Sequence, residues 1–424
     1  MYNVSASSEV IRGHRRLLAR RDQEPRVHRT VVLLGLTSLF TDISSEMVVA
    51  VLPLYLVFVG GFSPLAFGVI DGLYQGATAL VRLASGYIGD RWHRHKDVAA
   101  AGYGLSALCK LALATAGTAV SAIGAIVLID RIGKGIRTAP RDAMISLSTP
   151  PEQLGTAFGV HRALDTTGAL LGPIAAFGLL ALVPFGFGTI FIVSFCFAMI
   201  GVGILVLLVP RGRATAVKDP TPAPAPSVRG AFGLLRQRRF TAFVVAGGAL
   251  SLATASDAFI FLALEERLDL GTTLFPLLFV GSAGTYMLLA VPIGRLADRV
   301  GRGRVLLGGY GLLLGVYLAL LAPLEGIALA AAVLGLLGAY YAATDGVLMA
   351  LGSAVVPDEL RGSGLALLGT ATSIARLLAS IAFGALWTLT DIETAIACFV
   401  AALLVALALA AATLVRSREP LHVR

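Results

Sequence analysis

Gly86-Tyr87-Ile88-Gly89-Asp90-Arg91-Trp92-His93-Arg94-His95-Lys96 has a second version about two hundred residues later, Gly294-Arg295-Leu296-Ala297-Asp298-Arg299-Val300-Gly301-Arg302-Gly303-Arg304. Each version ends an apolar run with the same succession: a glycine where two helices can approach closely, an aspartate at the helix end, and a basic cluster in the loop beyond. The chain therefore reads as a duplication, with each copy contributing a charged turn between two apolar segments.

The segments around these turns decide the environment. Runs of about twenty apolar residues recur along the chain, each long enough to cross a hydrocarbon core of roughly 30 Å. The 424 residues are 57% hydrophobic and 14% charged, against roughly 25% charged in soluble domains, and mean hydropathy is +0.84. The pattern predicts twelve helices, over 31–59, 64–89, 98–118, 120–142, 153–183, 188–209, 240–264, 273–297, 303–323, 326–350, 360–388 and 392–415. The expected fold is all-α and integral to the membrane, with two pseudo-symmetric halves of six helices at 31–209 and 240–415. Residues 1–30 form a basic tail that lacks the short apolar core of a cleavable signal. Residues 210–239 place Pro220, Pro222, Pro224 and Pro226 ahead of Arg229, Arg236, Arg238 and Arg239, as in an extended linker followed by a basic membrane-surface segment. Residues 416–424 form the second tail.

The formal charge of +9 does not indicate nucleic acid, because the basic residues sit between apolar runs rather than in a patch interleaved with aromatics. They fall in the tails, the two duplicated turns and the linker, whereas the alternate loops offer only Arg267. The positive-inside rule then places both termini of this multi-pass protein in the cytoplasm, and a bacterial cytoplasmic membrane is the expected location. Cys109, Cys196 and Cys398 all lie inside apolar segments, where packing is their default role. The sequence holds no H-E-x-x-H, G-x-S-x-G or P-loop match, so no enzyme activity, metal or cofactor is expected.

The two charged turns resemble the signature that joins helices two and three, and eight and nine, in the major facilitator superfamily. Asp130-Arg131-Ile132-Gly133-Lys134-Gly135-Ile136-Arg137 resembles the superfamily's helix-four motif, in which an Arg followed four residues later by Gly is associated with proton transfer; Arg131 and Gly135 match. Gly168-Ala169-Leu170-Leu171-Gly172-Pro173 resembles the helix-five motif associated with antiporters, although Ala176 and Phe177 stand where a glycine pair usually follows. His93 likewise replaces a glycine that the second turn keeps as Gly301. The resemblance implies a monomeric secondary transporter that works by alternating access and exports a small organic compound against protons; proton-coupled uptake, or facilitated transport, of a polar or anionic metabolite is the alternative. It also implies that Gly86, Asp90, Arg91, Gly294, Asp298 and Arg299 act as a conformational latch rather than as substrate ligands.

Ionisable groups inside the apolar runs carry the functional reading, since each costs about 2.5 to 3.5 kcal/mol on insertion scales unless paired or facing a cavity. Asp42 and Glu46 are four residues apart, on one face of the first helix. On the fourth helix Asp130, Arg131, Lys134, Arg137, Arg141 and Asp142 span an arc of roughly 140°. His161, Arg162 and Asp165 share a face of the fifth. Proton coupling is assigned to Asp42, Glu46, Arg131 and Asp165, with Arg131 competing with the proton for the two first-helix carboxylates. The substrate cavity is assigned to Asp71, Lys110, Asp130, Lys134, His161 and Arg162 in the first half. In the second half it is assigned to Asp257, Tyr340, Tyr341, Asp345 and Arg376. Bland readings stand beside these: internal ion pairing for Lys110, a hydrogen-bonded core position for His161, packing for the tyrosines, and snorkelling for Arg137 and Arg141.

Overall fold

The computed structural model describes residues 28–77, 94–150, 153–210, 233–356 and 360–416, and its regular structure there is helical throughout. Twelve helical segments run back and forth. They are α1 (Arg29–Val59), α2 (64–77), α3 (His95–Thr115), α4 (Val120–Leu147), α5 (Leu154–Leu182) and α6 (Phe187–Leu208) in the first half. The second half holds α7 (Arg238–Leu268), α8 (Pro276–Val300, after the single turn Gly271–Leu274), α9 (Arg302–Leu321), α10 (Gly326–Thr344 and Val347–Val355), α11 (Arg361–Leu389) and α12 (Ile392–Arg416). Ten of these are long and apolar enough to cross a membrane by length and composition alone. Of the other two, α4 carries six charges within thirteen residues, Asp130 to Asp142, and α2 is described only over 64–77.

The duplication is visible in the packing. In the first half α1 lies against α5 and α6, and α3 against α4 and α6. Adding six to each label gives the second-half scheme: α7 lies against α11 and α12, and α9 against α10 and α12. The halves meet through α5 with α8 and through α2 with α11, where the Leu65 amide donates to Thr388 Oγ1 at 2.9 Å. Small residues make the second seam close. Gly68, Gly72 and Gly76 repeat every fourth residue on α2, and a Cβ at Gly72 would stand 2.8 Å from the Leu377 carbonyl oxygen of α11. In an apolar solvent such backbone contact supplies the van der Waals attraction that the hydrophobic effect does not.

The halves differ in continuity. First-half α1 runs unbroken past Ser45 and Glu46, closing with a π turn at Tyr55–Val59, whereas α7 stops at Leu252 and restarts at Asp257. The sequence between, Ala253-Thr254-Ala255-Ser256, is rich in hydroxyls that compete with helix hydrogen bonds; Thr254 Oγ1 already turns back to the Leu250 carbonyl at 2.8 Å. Backbone groups freed by a break inside apolar surroundings need partners. Tyr317 of α9 supplies two: its hydroxyl accepts from the Ala255 amide at 2.8 Å and donates to the Ala253 carbonyl at 3.1 Å. A second break divides α10 at Asp345-Gly346, with Gly346 at φ 73°, a conformation that favours glycine.

Candidate functional site

The charged groups of α4 divide between two clusters. In the first, the Asp130 carboxylate receives Lys110 of α3, Ser106 Oγ at 2.5 Å and the Arg131 guanidinium at 2.5 Å. All four residues are buried. Arg131 also stacks on Tyr74 of α2, 4.0 Å from the ring centroid, a contact worth up to about 2 kcal/mol when desolvated. These groups border a small enclosed space inside the first half, where Ser45 Oγ and Arg131 Nε have no hydrogen-bond partner among the described residues. Arg131 therefore forms no ion pair with Asp42 or Glu46, although Glu46 lies within its electrostatic reach, and Lys110 and Asp130 neutralise each other within the half instead of facing its partner. The reason is geometric: on α4 Arg131 and Arg137 are about 120° apart, so the first turns to α2 and α3 and the second to α1.

The second cluster joins α1, α4 and α5. The Arg137 guanidinium lies 3.7 Å from Asp42 and 4.5 Å above the ring of Tyr103. Arg141 bonds Asp142 at 3.0 Å, donates to Ser38 Oγ at 3.3 Å and reaches Asp165 at 3.7 Å. Both arginines thus point inward rather than snorkel. The carboxyls of Asp42 and Asp165 are within hydrogen-bonding reach of each other, so Asp42 finds its carboxyl partner on α5 rather than in Glu46. His161 is buried and hydrogen-bonded to Ser38 at 3.0 Å. The Lys134 ammonium has no hydrogen bond or ion pair among the described residues, and lies within electrostatic reach of Asp42 and Glu46. Glu46 also lies within electrostatic range of Asp257 in the other half, a carboxylate of like charge that it repels.

Further contacts bring together groups from both halves or from facing helices. The buried Asp71 of α2 accepts a hydrogen bond from Ser380 of α11. Arg162 of α5 meets Asp345 of α10 at 3.4 Å, and Tyr286 of α8 donates to the same carboxylate at 3.1 Å. Within the second half, Tyr341 donates to Asp257 at 2.6 Å. Tyr340 is sealed in the core, its ring packed on Tyr310 and Tyr341. Arg376 is accessible, without a hydrogen bond or ion pair among the described residues, and has Asp257 and these three tyrosines within electrostatic reach.

The sequence motifs take different places. Gly172 lets α5 rest on α1, since a Cβ there would meet the Ile43 carbonyl oxygen and Glu46 Cβ, both at 2.8 Å. Gly168 touches the α1 backbone one turn earlier, and Pro173 is buried beside Gly172. Gly86, Asp90 and Arg91 lie outside the described residues. In the second copy, the expected close approach at Gly294 is absent: nothing lies within 4 Å of a Cβ built there. Asp298 holds an exposed pair with Arg302 at 3.7 Å, and Arg299 is exposed. Sequence reading missed Ser38, Tyr74, Tyr103 and Ser380. The 3, 4 spacing of Lys134, Arg137 and Arg141 was the available signal that these cations share a face.

A bundle of two like halves, with charged and aromatic groups converging between them, is the architecture of a membrane transporter. The sequence profile of the Major Facilitator Superfamily matches residues 34–285 and 255–424, and the chain belongs to that family. An uncharacterized MFS-type transporter of Methanocaldococcus jannaschii is 29% identical over 373 residues, covering 86% of this chain and 90% of the relative. An uncharacterized protein of Mycobacterium tuberculosis is 32% identical over 154 residues, 36% of this chain and 37% of its own length. Among solved structures, the nucleoside transporter NupG superposes with a TM-score of 0.73 at 16% identity, over 92% of this chain and all of that one. An auto-inhibited peptide transporter of the POT family gives 0.72 at 13% identity, over 93% of this chain and 98% of that one. These likenesses establish the fold.

Proposed function

We propose that the protein is a proton-coupled antiporter that exports a small organic compound across a bacterial cytoplasmic membrane. The observation that carries this reading is the meeting of Asp42 and Asp165, carboxyls from two helices, beneath Arg137 and Arg141 at 3.7 Å each. Such a pair can hold one proton between α1 and α5, and gaining or losing it changes the charge that the guanidiniums balance. Glu46 attracts Lys134 on one side and repels Asp257 of the other half on the other, so a change in its charge acts on both halves. Substrate would lie between Lys134, Arg162 and Glu46 of the first half and Asp257, Tyr341 and Arg376 of the second. The α2–α11 and α5–α8 seams close one face of the space, and alternating access would transfer closure to the other.

The export direction rests on the likeness of Arg131, Gly135, Gly168, Gly172 and Pro173 to the family's helix-four and helix-five motifs, and the orientation on the basic tails and turns, which favour a cytoplasmic face carrying both termini. In a cysteine-free background, single cysteines at Gly61, Asp269 and Thr390 should label in intact cells, and those at His95, Ala225 and Gly303 only after permeabilisation. Labelling of position 225 in intact cells would reverse the orientation. A substrate found by thermal-shift screening, which works because a ligand of the folded state stabilises it by mass action, then serves in proteoliposomes with an internal pH dye. Asp42→Asn, Glu46→Gln and Asp165→Asn are expected to abolish substrate-driven proton flux, with exchange at zero gradient surviving in at least one. Unchanged proton flux in all three would refute the coupling site. Proton and substrate moving in the same direction would establish uptake instead, and transport without protons a facilitator.

A further inference from the structure

A pocket of about 280 Å³ opens on the face opposite the termini, between the two halves. Its wall is aromatic: Phe62 and Phe67 come from the first half, Phe259 and Trp387 from the second. Phe259 is the hub, with its ring centroid 4.9 Å from Phe67 and 5.9 Å from Trp387. Glu265 and Glu266, from the last turns of α7, complete the lining. Glu265 is only 7% exposed, yet neither carboxylate has a cationic partner among the described residues. The neighbouring cation is turned away, because Arg267 spends its guanidinium on the carbonyls of Leu320, Ala322 and Leu324 at 2.6, 2.9 and 2.9 Å.

A nearly buried carboxylate without a cation is costly and attracts one. Aromatic faces attract the same sign of charge, and more strongly where water is excluded. The whole face adds to that field, since Asp269, Glu325, Asp391 and Glu393 accompany the two glutamates while Arg267 is its one basic residue among those described. Apolar walls disfavour a fully hydrated inorganic ion, and the volume lies at the small end of ligand pockets. We infer that this pocket binds a small lipophilic organic cation, such as a quaternary ammonium bearing one aryl group. Because its walls come from both halves, the occupant holds the α2–α11 seam shut and slows the conformational cycle. The inference is independent of which substrate the central space carries and of the direction of transport.

Trp387 reports on the pocket directly. The chain has two tryptophans, and Trp92→Phe leaves Trp387 as the sole one. Benzyltrimethylammonium should change its fluorescence saturably in the full-length purified protein, whereas neopentylbenzene, the same shape without charge, should not. Glu265→Gln is expected to raise the half-saturating concentration about tenfold, as loss of a close opposite charge does. Glu266→Gln, at an exposed position, should raise it less, and serves with Phe67→Leu if the buried substitution prevents folding. Thermal shift with the same cation gives a reading free of optical artefacts. An equal response to the uncharged isostere, or half-saturation unaffected by either glutamine, would show apolar partitioning only and overturn the proposal.

Discussion

The cluster of Lys110, Asp130 and Arg131 is one carboxylate held between two cations, all buried in the first half. Asp130→Asn keeps the shape and removes the only negative charge. Each cation holds a different oxygen of that carboxylate, which puts the two charges on the order of 5 to 6 Å apart. At an effective dielectric constant of about 20 their uncompensated repulsion is then about 3 kcal/mol. Weakened hydrogen bonds from Ser106, Lys110 and Arg131 add to this, which agrees with the roughly 3 to 5 kcal/mol lost when one partner of a buried pair is removed.

Lys110→Met acts in the opposite sense. It leaves Asp130 with Arg131 at 2.5 Å, a neutral pair, so the buried net charge falls from one to zero. Its cost should stay within about 1.5 kcal/mol, the worth of an ordinary hydrogen bond. Adding Lys110→Met to Asp130→Asn should recover at least half of the loss, because one of two repelling cations goes. By thermal unfolding in detergent, the single Asn variant should melt roughly 6 to 20 °C below wild type, using about 2 to 4 °C per kcal/mol for a unit of this size. Lys110→Met as damaging as Asp130→Asn, or a double variant no better than Asp130→Asn, would refute the electrostatic account and leave packing as the cluster's role.

Tyr317→Phe removes both hydrogen bonds to the broken backbone of α7, and should lower the melting point by the equivalent of about 1 to 3 kcal/mol; an unchanged melting point would mean that other groups satisfy the break. Gly172→Val drives a side chain into α1 and should abolish the monodisperse chromatographic peak, whereas Gly178→Val on the same helix, with nothing within 4 Å, should be tolerated. Gly72→Val meets the Leu377 carbonyl at 2.8 Å and should loosen the α2–α11 seam, read as faster thiol labelling of a cysteine at Thr388; labelling no faster than in the parent would refute the small-residue seal. Arg162→Ala should leave the melting point within about 1 kcal/mol of wild type, because its pair with Asp345 is exposed at 75% and 50%.

Helix number, the twofold division and the family were legible because they rest on period and repetition, which a single sequence displays. The partners of the charges were not. Asp42 and Glu46 share a helical face, and nothing in α1 alone says that Asp165 of α5 and Arg137 of α4 will arrive beside the first. That depends on Gly168 and Gly172 bringing the α5 backbone onto α1, a closeness that a motif names without giving its azimuth. Likewise Asp130 and Arg131 are adjacent in sequence, but only Lys110 from α3 turns the pair into an internal cluster. The break in α7 was hidden for another reason: Thr254 and Ser256 are hydroxyl residues that continuous membrane helices also carry, as Ser44 and Ser45 do in α1, and the partner of the break, Tyr317, lies 62 residues beyond Ala255. Long-range pairing is where sequence periodicity ends.

The unequal construction of the two halves follows from where each spends its polar groups. The first half neutralises most of its charges internally, through Lys110 with Asp130 and through Arg141 with Asp142 and Asp165, and its described helices are continuous. The second half has few charges but two interrupted helices, and the interruptions place Asp257 and Asp345 at helix ends rather than on helix flanks. A helix end can reorient by changing a few backbone dihedrals, which a charge fixed on a continuous helix cannot do. Contacts between the halves fit that division: Asp71 with Ser380, Leu65 with Thr388 and Arg162 with Asp345 are single hydrogen bonds or exposed pairs. The glycine seam between α2 and α11 adds close packing with little polar cost on separation. Parting along this seam would release one buried carboxylate, Asp71, from Ser380, while the clusters of paired charges stay intact because they lie within the first half and not across the boundary.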